Sequence, residues 1–233
     1  MTVSYRRLRE GAAALAMLLG FAAMPASGKT ACPDAPVPRL RVIVLAGEPQ
    51  YDRSLSAEAL EAMGASAAPD WLHGRGRLLG LTQHQIGLDY DGLTAITAPG
   101  PDGTCVGFRD GTLALVAAAT IHIAAEIPAG SCLDREAIGH ELKHHARGLE
   151  LLEAHARDLE RRFADALTDE PFVLAPEDQV AAAAIARLRD LMEPARREFD
   201  EAYVSAQLAL DTPQEYQRIL DACPGEQQRL LRP

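Results

Sequence analysis

The chain has 233 residues, four cysteines and a formal charge of −10 at neutral pH. That acidity argues against nucleic acid as the main partner, because phosphate binding needs a basic footprint. The length fits one or two domains, with one favoured, and suffices to bury a real core.

Arg6, Arg7 and Arg9 form a basic start, Ala12 to Ala23 an apolar run, and Ala26-Ser27-Gly28 a small-residue cleavage site. This is the pattern of a secretory signal over residues 1–28, leaving 29–233 as one mature domain. An uncleaved anchor is the alternative, but a span wants about 20 apolar residues and the run falls short. The expectation is export to the periplasm or beyond, with no stable membrane insertion after cleavage. Cys32, Cys105, Cys132 and Cys223 then read as two disulfides. Their wide spacing argues against a cysteine-ligated zinc. The favoured pairing is Cys132–Cys223, tying the start of the helical half to its end, with Cys32–Cys105 inside the first half.

Arg39 to Ala46 is rich in β-branched residues and reads as a strand. Ser54 or Ser56 caps a short helix through Met63. Gly64 to Leu81 reads as loop. Further strands are expected over Gln85–Asp91, Cys105–Phe108 and Thr112–Ile127, with Asp110-Gly111 as a hairpin turn between the last two. From Leu133 the period changes: Ile138, Leu142, His145, Leu149, Leu152, Ala156, Leu159 and Phe163 form one helical stripe of about eight turns. A second stripe runs Ile185, Leu188, Met192, Ala195, Phe199, Ala202 and Ala206, with Pro194 expected to kink it. The short link over Thr168–Pro176 makes the two helices an antiparallel pair. Asp211 or Thr212 caps a last short helix with Pro213 in its first turn. The fold class expected is α+β, a small sheet followed by a long helical hairpin and a short C-terminal helix.

His140-Glu141-Leu142-Lys143-His144 carries the chemistry. Residues four apart share a helix face, so His140 and His144 can grip one metal ion. Glu141, turned by about 100°, reaches a metal-bound water rather than the metal. Zinc lowers that water's pKa, and Glu141 can then take its proton and pass it to a leaving amine. Against the apolar stripe, His140 and His144 lie more than about 100° from its centre, while His145 sits on it as a seam residue. His73, His84 and Trp71 read as surface or packing residues.

The segment Ala137 to Ala146 resembles the active helix of zincin metallopeptidases. The wider pattern is similar to a group of little-characterised exported bacterial zinc peptidases. It includes Ile121 to Pro128, Gly130-Ser131-Cys132 and Asp211-Thr212-Pro213-Gln214-Glu215-Tyr216. The resemblance implies Zn2+ held by His140 and His144, Glu141 as catalytic base, and a peptide or protein substrate laid along the strand containing His122. The chain departs from zincins at Lys143, where they keep an uncharged residue. The third ligand is open among Glu150, Glu198, Asp200, Glu201, Asp211 and His122. Glu150 has metzincin spacing, but Arg147 occupies the glycine position that spacing requires. His155 lies about 16 Å further along the helix, too far for a bond near 2 Å. Two other readings stand beside the peptidase. One is a non-catalytic exported binding or envelope protein with a structural or vestigial zinc; in the other the pentapeptide is incidental.

Overall fold

The computed structural model describes residues 32, 38–64, 78–91, 95–100 and 102–226. The leader, Trp71, His73 and most of the expected 64–81 loop lie outside them. The elements are β1 (Leu40–Ala46), β2 (Gln50–Asp52), α1 (Ala57–Gly64), β3 (Gly80–Asp91), β4 (Ala95–Pro99), β5 (Thr104–Phe108) and β6 (Gly111–Ile123). Then come α2 (Cys132–Asp169), β7 (Val173–Ala175), a short 3-10 turn, α3 (Val180–Leu208) and α4 (Pro213–Ala222). The architecture is α+β, as the sequence leads one to expect.

Strand β6 organises the larger sheet. Its alternate residues Leu113, Leu115, Ala117, Ala119, Ile121 and Ile123 are buried on one face, the two-residue period of a half-buried strand. It pairs antiparallel with β3 along one edge, and parallel with β1 and then β2 along the other. Helix α2 lies across β1, β3 and β6 on the buried face. A second sheet, in the order β4-β5-β7, packs near α3.

Three expectations about the strands need correcting. Asp110-Gly111 does not close a hairpin, because β5 and β6 belong to different sheets; Asp110 instead accepts from the Arg39 amide. β6 stops at Ile123 rather than Ile127. Beyond it Glu126 turns back and accepts the Ala57 N–H at the start of α1, which satisfies an otherwise orphaned helix donor. β3 starts five residues earlier than expected, its glycines and polar residues masking a strand that pairs with β6 throughout.

The helical hairpin is antiparallel: His144 meets Gln207, His155 stacks on Phe199, and Arg162 pairs with Glu198. α3 continues through Pro194 as one element. The apolar seam holds over Leu152, Ala156, Leu159 and Phe163, all buried. In the first half of α2 it does not. Leu142 is 38% exposed, while His140, Glu141 and His144 are buried. The helix turns its polar motif, not its leucine, toward the protein. On α3, Ile185 is likewise exposed, and Tyr203 and Gln207 take the buried face. The disulfides are Cys32–Cys105 and Cys132–Cys223, which fits an oxidising compartment. No helix among the described residues is long and apolar enough to cross a membrane.

A buried polar junction ties β3 to both long helices. His84 Nδ1 lies 2.5 Å from the Tyr203 hydroxyl and its Nε2 lies 3.0 Å from His145 Nδ1. Gly148 makes room for the ring: a Cβ there would sit 2.7 Å from His84 Cε1. Gly148→Ala gains about 1 kcal/mol of helix propensity but meets an imidazole bonded at both ends, an overpacking worth about 1–3 kcal/mol. The expected result is a net loss of stability, read as a lower urea midpoint at unchanged slope; a raised midpoint would show that the ring can give way.

Candidate metal centre

The first two turns of α2 are fixed by capping. Ser131 accepts from the Asp134 amide, and Asp134 in turn accepts from Gly130, whose positive φ makes the entry turn. That start brings His140 and His144 under the turn between α3 and α4. Thr212 is the cap of α4, accepting from Glu215 N, so Asp211 is left outside the helix with its carboxylate directed back at the two imidazoles.

Three atoms converge. His140 Nε2 and His144 Nε2 are each 3.2 Å from Asp211 Oδ1 and 3.1 Å from one another. Donors on a tetrahedral ion with bonds near 2 Å stand about 3.3 Å apart, so the triangle has the size of one face of such a site. Tautomers agree. Gln207 Nε2 donates to the His144 backbone oxygen at 3.2 Å, which points Gln207 Oε1 at His144 Nδ1, 2.6 Å away. The proton therefore sits on Nδ1, leaving the Nε2 lone pair facing the centre, as a ligating histidine requires. His140 Nδ1 is buried without a hydrogen bond, and its nearest carboxylate oxygen is Glu215 Oε1 at 3.5 Å.

The electrostatics favour a cation. Burial opposes charge on Asp211, but the hydrogen-bonded imidazoles outweigh it and hold the carboxyl down at about 2. Burial likewise opposes charge on His144, yet Asp211 and Glu141 together raise its affinity for a proton. Glu215 is held down at about 2, first by Arg218 and then by Lys143. Tyr216 lies edge-on to His140, 5.8 Å between ring centres, and burial beside Asp211 and Glu141 pushes its hydroxyl well above its usual range.

Glu141 sits beside the triangle. Thr82 Oγ1 lies 2.9 Å from both its backbone oxygen and its Oε2. Gly80 lets β3 approach, since a Cβ there would stand 2.7 Å from Glu141 Oε1. Burial lifts its carboxyl above the usual range, against the pull of His144 and His140. Oε2 is thus tied down, and Oε1 is the oxygen left for other work.

Of the residues open as third ligand, Asp211 is the one brought to the histidines. Glu150 pairs with Arg147, Glu198 with Arg162 and Asp200 with Arg196, while Glu201 is exposed. His122 contacts Asp52. Its neighbour Ile121 pairs with Thr82, which faces Glu141, so by strand alternation His122 points to the opposite side of the sheet. β6 is also central rather than an edge; among the described residues, β3 is the strand beside Glu141 that is paired on one side only. Gln207, Thr82 and Gly80 carry parts of the site that no spacing in the sequence reveals. The chain matches no family model, no curated protein and no solved structure.

Proposed function

We propose that this chain is an exported, zinc-dependent metallopeptidase that hydrolyses peptide or protein substrates. The observation that supports it is the triangle of His140 Nε2, His144 Nε2 and Asp211 Oδ1 with a second carboxylate, Glu141, beside it. Two neutral imidazoles and one carboxylate are the donor set of catalytic zinc, which keeps three protein ligands and one open position. Bound zinc would supply Lewis acidity toward water and the scissile carbonyl. Glu141 Oε1 accepts the proton of the attacking water and returns it to the leaving amine. Thr82 holds the other oxygen of Glu141 and so leaves Oε1 for that role. Gln207 keeps His144 in its ligating tautomer. The basic, apolar leader and the two disulfides support export.

A second reading, a non-catalytic exported protein with a structural or vestigial zinc, is favoured by one observation. Glu141 is only 5% exposed and already hydrogen-bonded, so its carboxylate also serves to fasten α2 to β3. Both readings require the metal. The purified mature protein is expected to carry one zinc per chain by elemental analysis, retained in Glu141→Gln and lost in His140→Ala with His144→Ala. Protein that takes up no zinc even after supplementation would rule out both.

A further inference from the structure

The metal-ligating helix α2 and the short helix α4 are fastened at a ladder of points. Cys132 is bonded to Cys223. Arg218 Nη1 donates to Glu136 at 2.7 Å. Lys143 Nζ donates to Glu215 at 2.5 Å. Glu226, just past α4, accepts the Cys132 and Leu133 amides at 3.2 and 2.9 Å, satisfying two N–H groups at the start of α2. Between these rungs Ile219 is buried together with Leu133 and Ala137.

This ladder ends at the metal centre. Asp211 immediately precedes the cap of α4, and Glu215 in its first turn is the carboxylate nearest the unbonded His140 Nδ1. Lys143, the residue that sets this motif apart from the zincin pattern, holds Glu215 at that place from α2, beside Arg218 on α4 itself. Resting on the metal-centre reading above, we propose that α4 is a clasp whose docking on α2 sets zinc affinity. It delivers Asp211 as ligand and Glu215 as the positioning group for His140, and the Cys132–Cys223 disulfide and Lys143 hold it shut. Glu215 and Lys143 are positioning residues here; neither touches substrate. The His144 side of the site is supported separately by Gln207 on α3, so opening the clasp removes one ligand and one supporting carboxylate while leaving the other imidazole oriented.

The test is zinc affinity by competition with a chromogenic chelator, on the folded mature protein at fixed pH. Groups that support metal ligands from outside the first ring are typically worth 10–100-fold in affinity. Cys132→Ser with Cys223→Ser is therefore expected to weaken zinc binding about 10–100-fold, and Cys32→Ser with Cys105→Ser to change it less than about twofold. Because the first pair removes a covalent tie, Lys143→Met and Glu215→Gln give the same test without it. Each is expected to weaken zinc binding, with Lys143→Arg restoring it. Equal affinity with and without these groups, or an equal loss in the Cys32/Cys105 pair, overturns the clasp. If the unaltered protein binds no zinc, the metal-centre reading falls first and takes the clasp with it.

Discussion

Glu141→Gln is expected to slow peptide hydrolysis by about 10²–10⁴-fold, the span that a positioned general base contributes, while zinc content stays at one per chain. Glutamine keeps the shape of the side chain and can still accept from Thr82, so the fastening of α2 to β3 survives. What is lost is a site for the water's proton. Burial raises the Glu141 carboxyl above its usual range, which makes the carboxylate a stronger base. Wild-type hydrolysis should accordingly decline on the acid side as Glu141 becomes protonated. The measurement is steady-state hydrolysis of a quenched fluorescent peptide library beside elemental analysis. A variant as active as the wild type would remove the catalytic role and leave the structural zinc. Loss of zinc together with activity would mean that Glu141 acts by holding the fold.

The second large effect concerns acid. Burial, with His145 and His144 nearby, depresses His84 to about 4 from its ordinary 6.5. The sign follows from linkage. The unfolded chain takes up a proton at His84 below about 6.5, whereas the folded one resists until about 4. Stability from this group is fully present above about 6.5, drains as pH falls through that window, and is exhausted below about 4. A shift of this size is worth on the order of 3 kcal/mol, a sizeable share of the 5–15 kcal/mol that holds a typical domain. Urea unfolding across pH 7 to 4, with chelator present so that metal release adds nothing, should show this decline. His84→Gln should be less stable at neutral pH, because the Tyr203 and His145 contacts are lost, yet flatter across the same window. An equally steep decline in the variant would assign the acid sensitivity elsewhere. His155, also held to about 4 chiefly by burial, is the next group to examine. Asp211 and Glu215 lose their contributions in a lower range, nearer 2, so the two effects separate on the pH axis.

What could be read from the chain divides along physical lines. The long helices, the strands beginning near residues 40 and 105 and the cap of α4 are local features, written in periodicity, β-branching and the Asp-Thr-Pro start. His140, Glu141 and His144 share a short spacing, and that too is local. The face of α2 was misleading, because a stripe of Ile138, Leu142 and Leu149 predicts burial only when nothing polar competes for the same volume. Here a triangle of acceptors and a bonded glutamate occupy it, and Leu142 is turned outward. The third donor could be named among six but not chosen, since Asp211 meets His144 across 67 residues of chain. Gly80, Thr82 and Gln207 gave no signal at all: each matters only because β3 and α3 pass within reach of α2. The three-residue strands β2 and β7 exist through pairing alone.

The order of these residues along the chain has a consequence for synthesis. The centre draws on Gly80 and Thr82, then on the 140–144 motif, and is completed only by Gln207, Asp211 and the helix that follows. A chain made from its N-terminus presents the two histidines well before their third partner. Neither Asp211 nor the cysteine that fastens it, Cys223, is available until more than sixty further residues have followed His144. The proposed metal centre is thus incomplete until most of the polypeptide has been made, and a fragment stalled part-way carries the motif without its third partner.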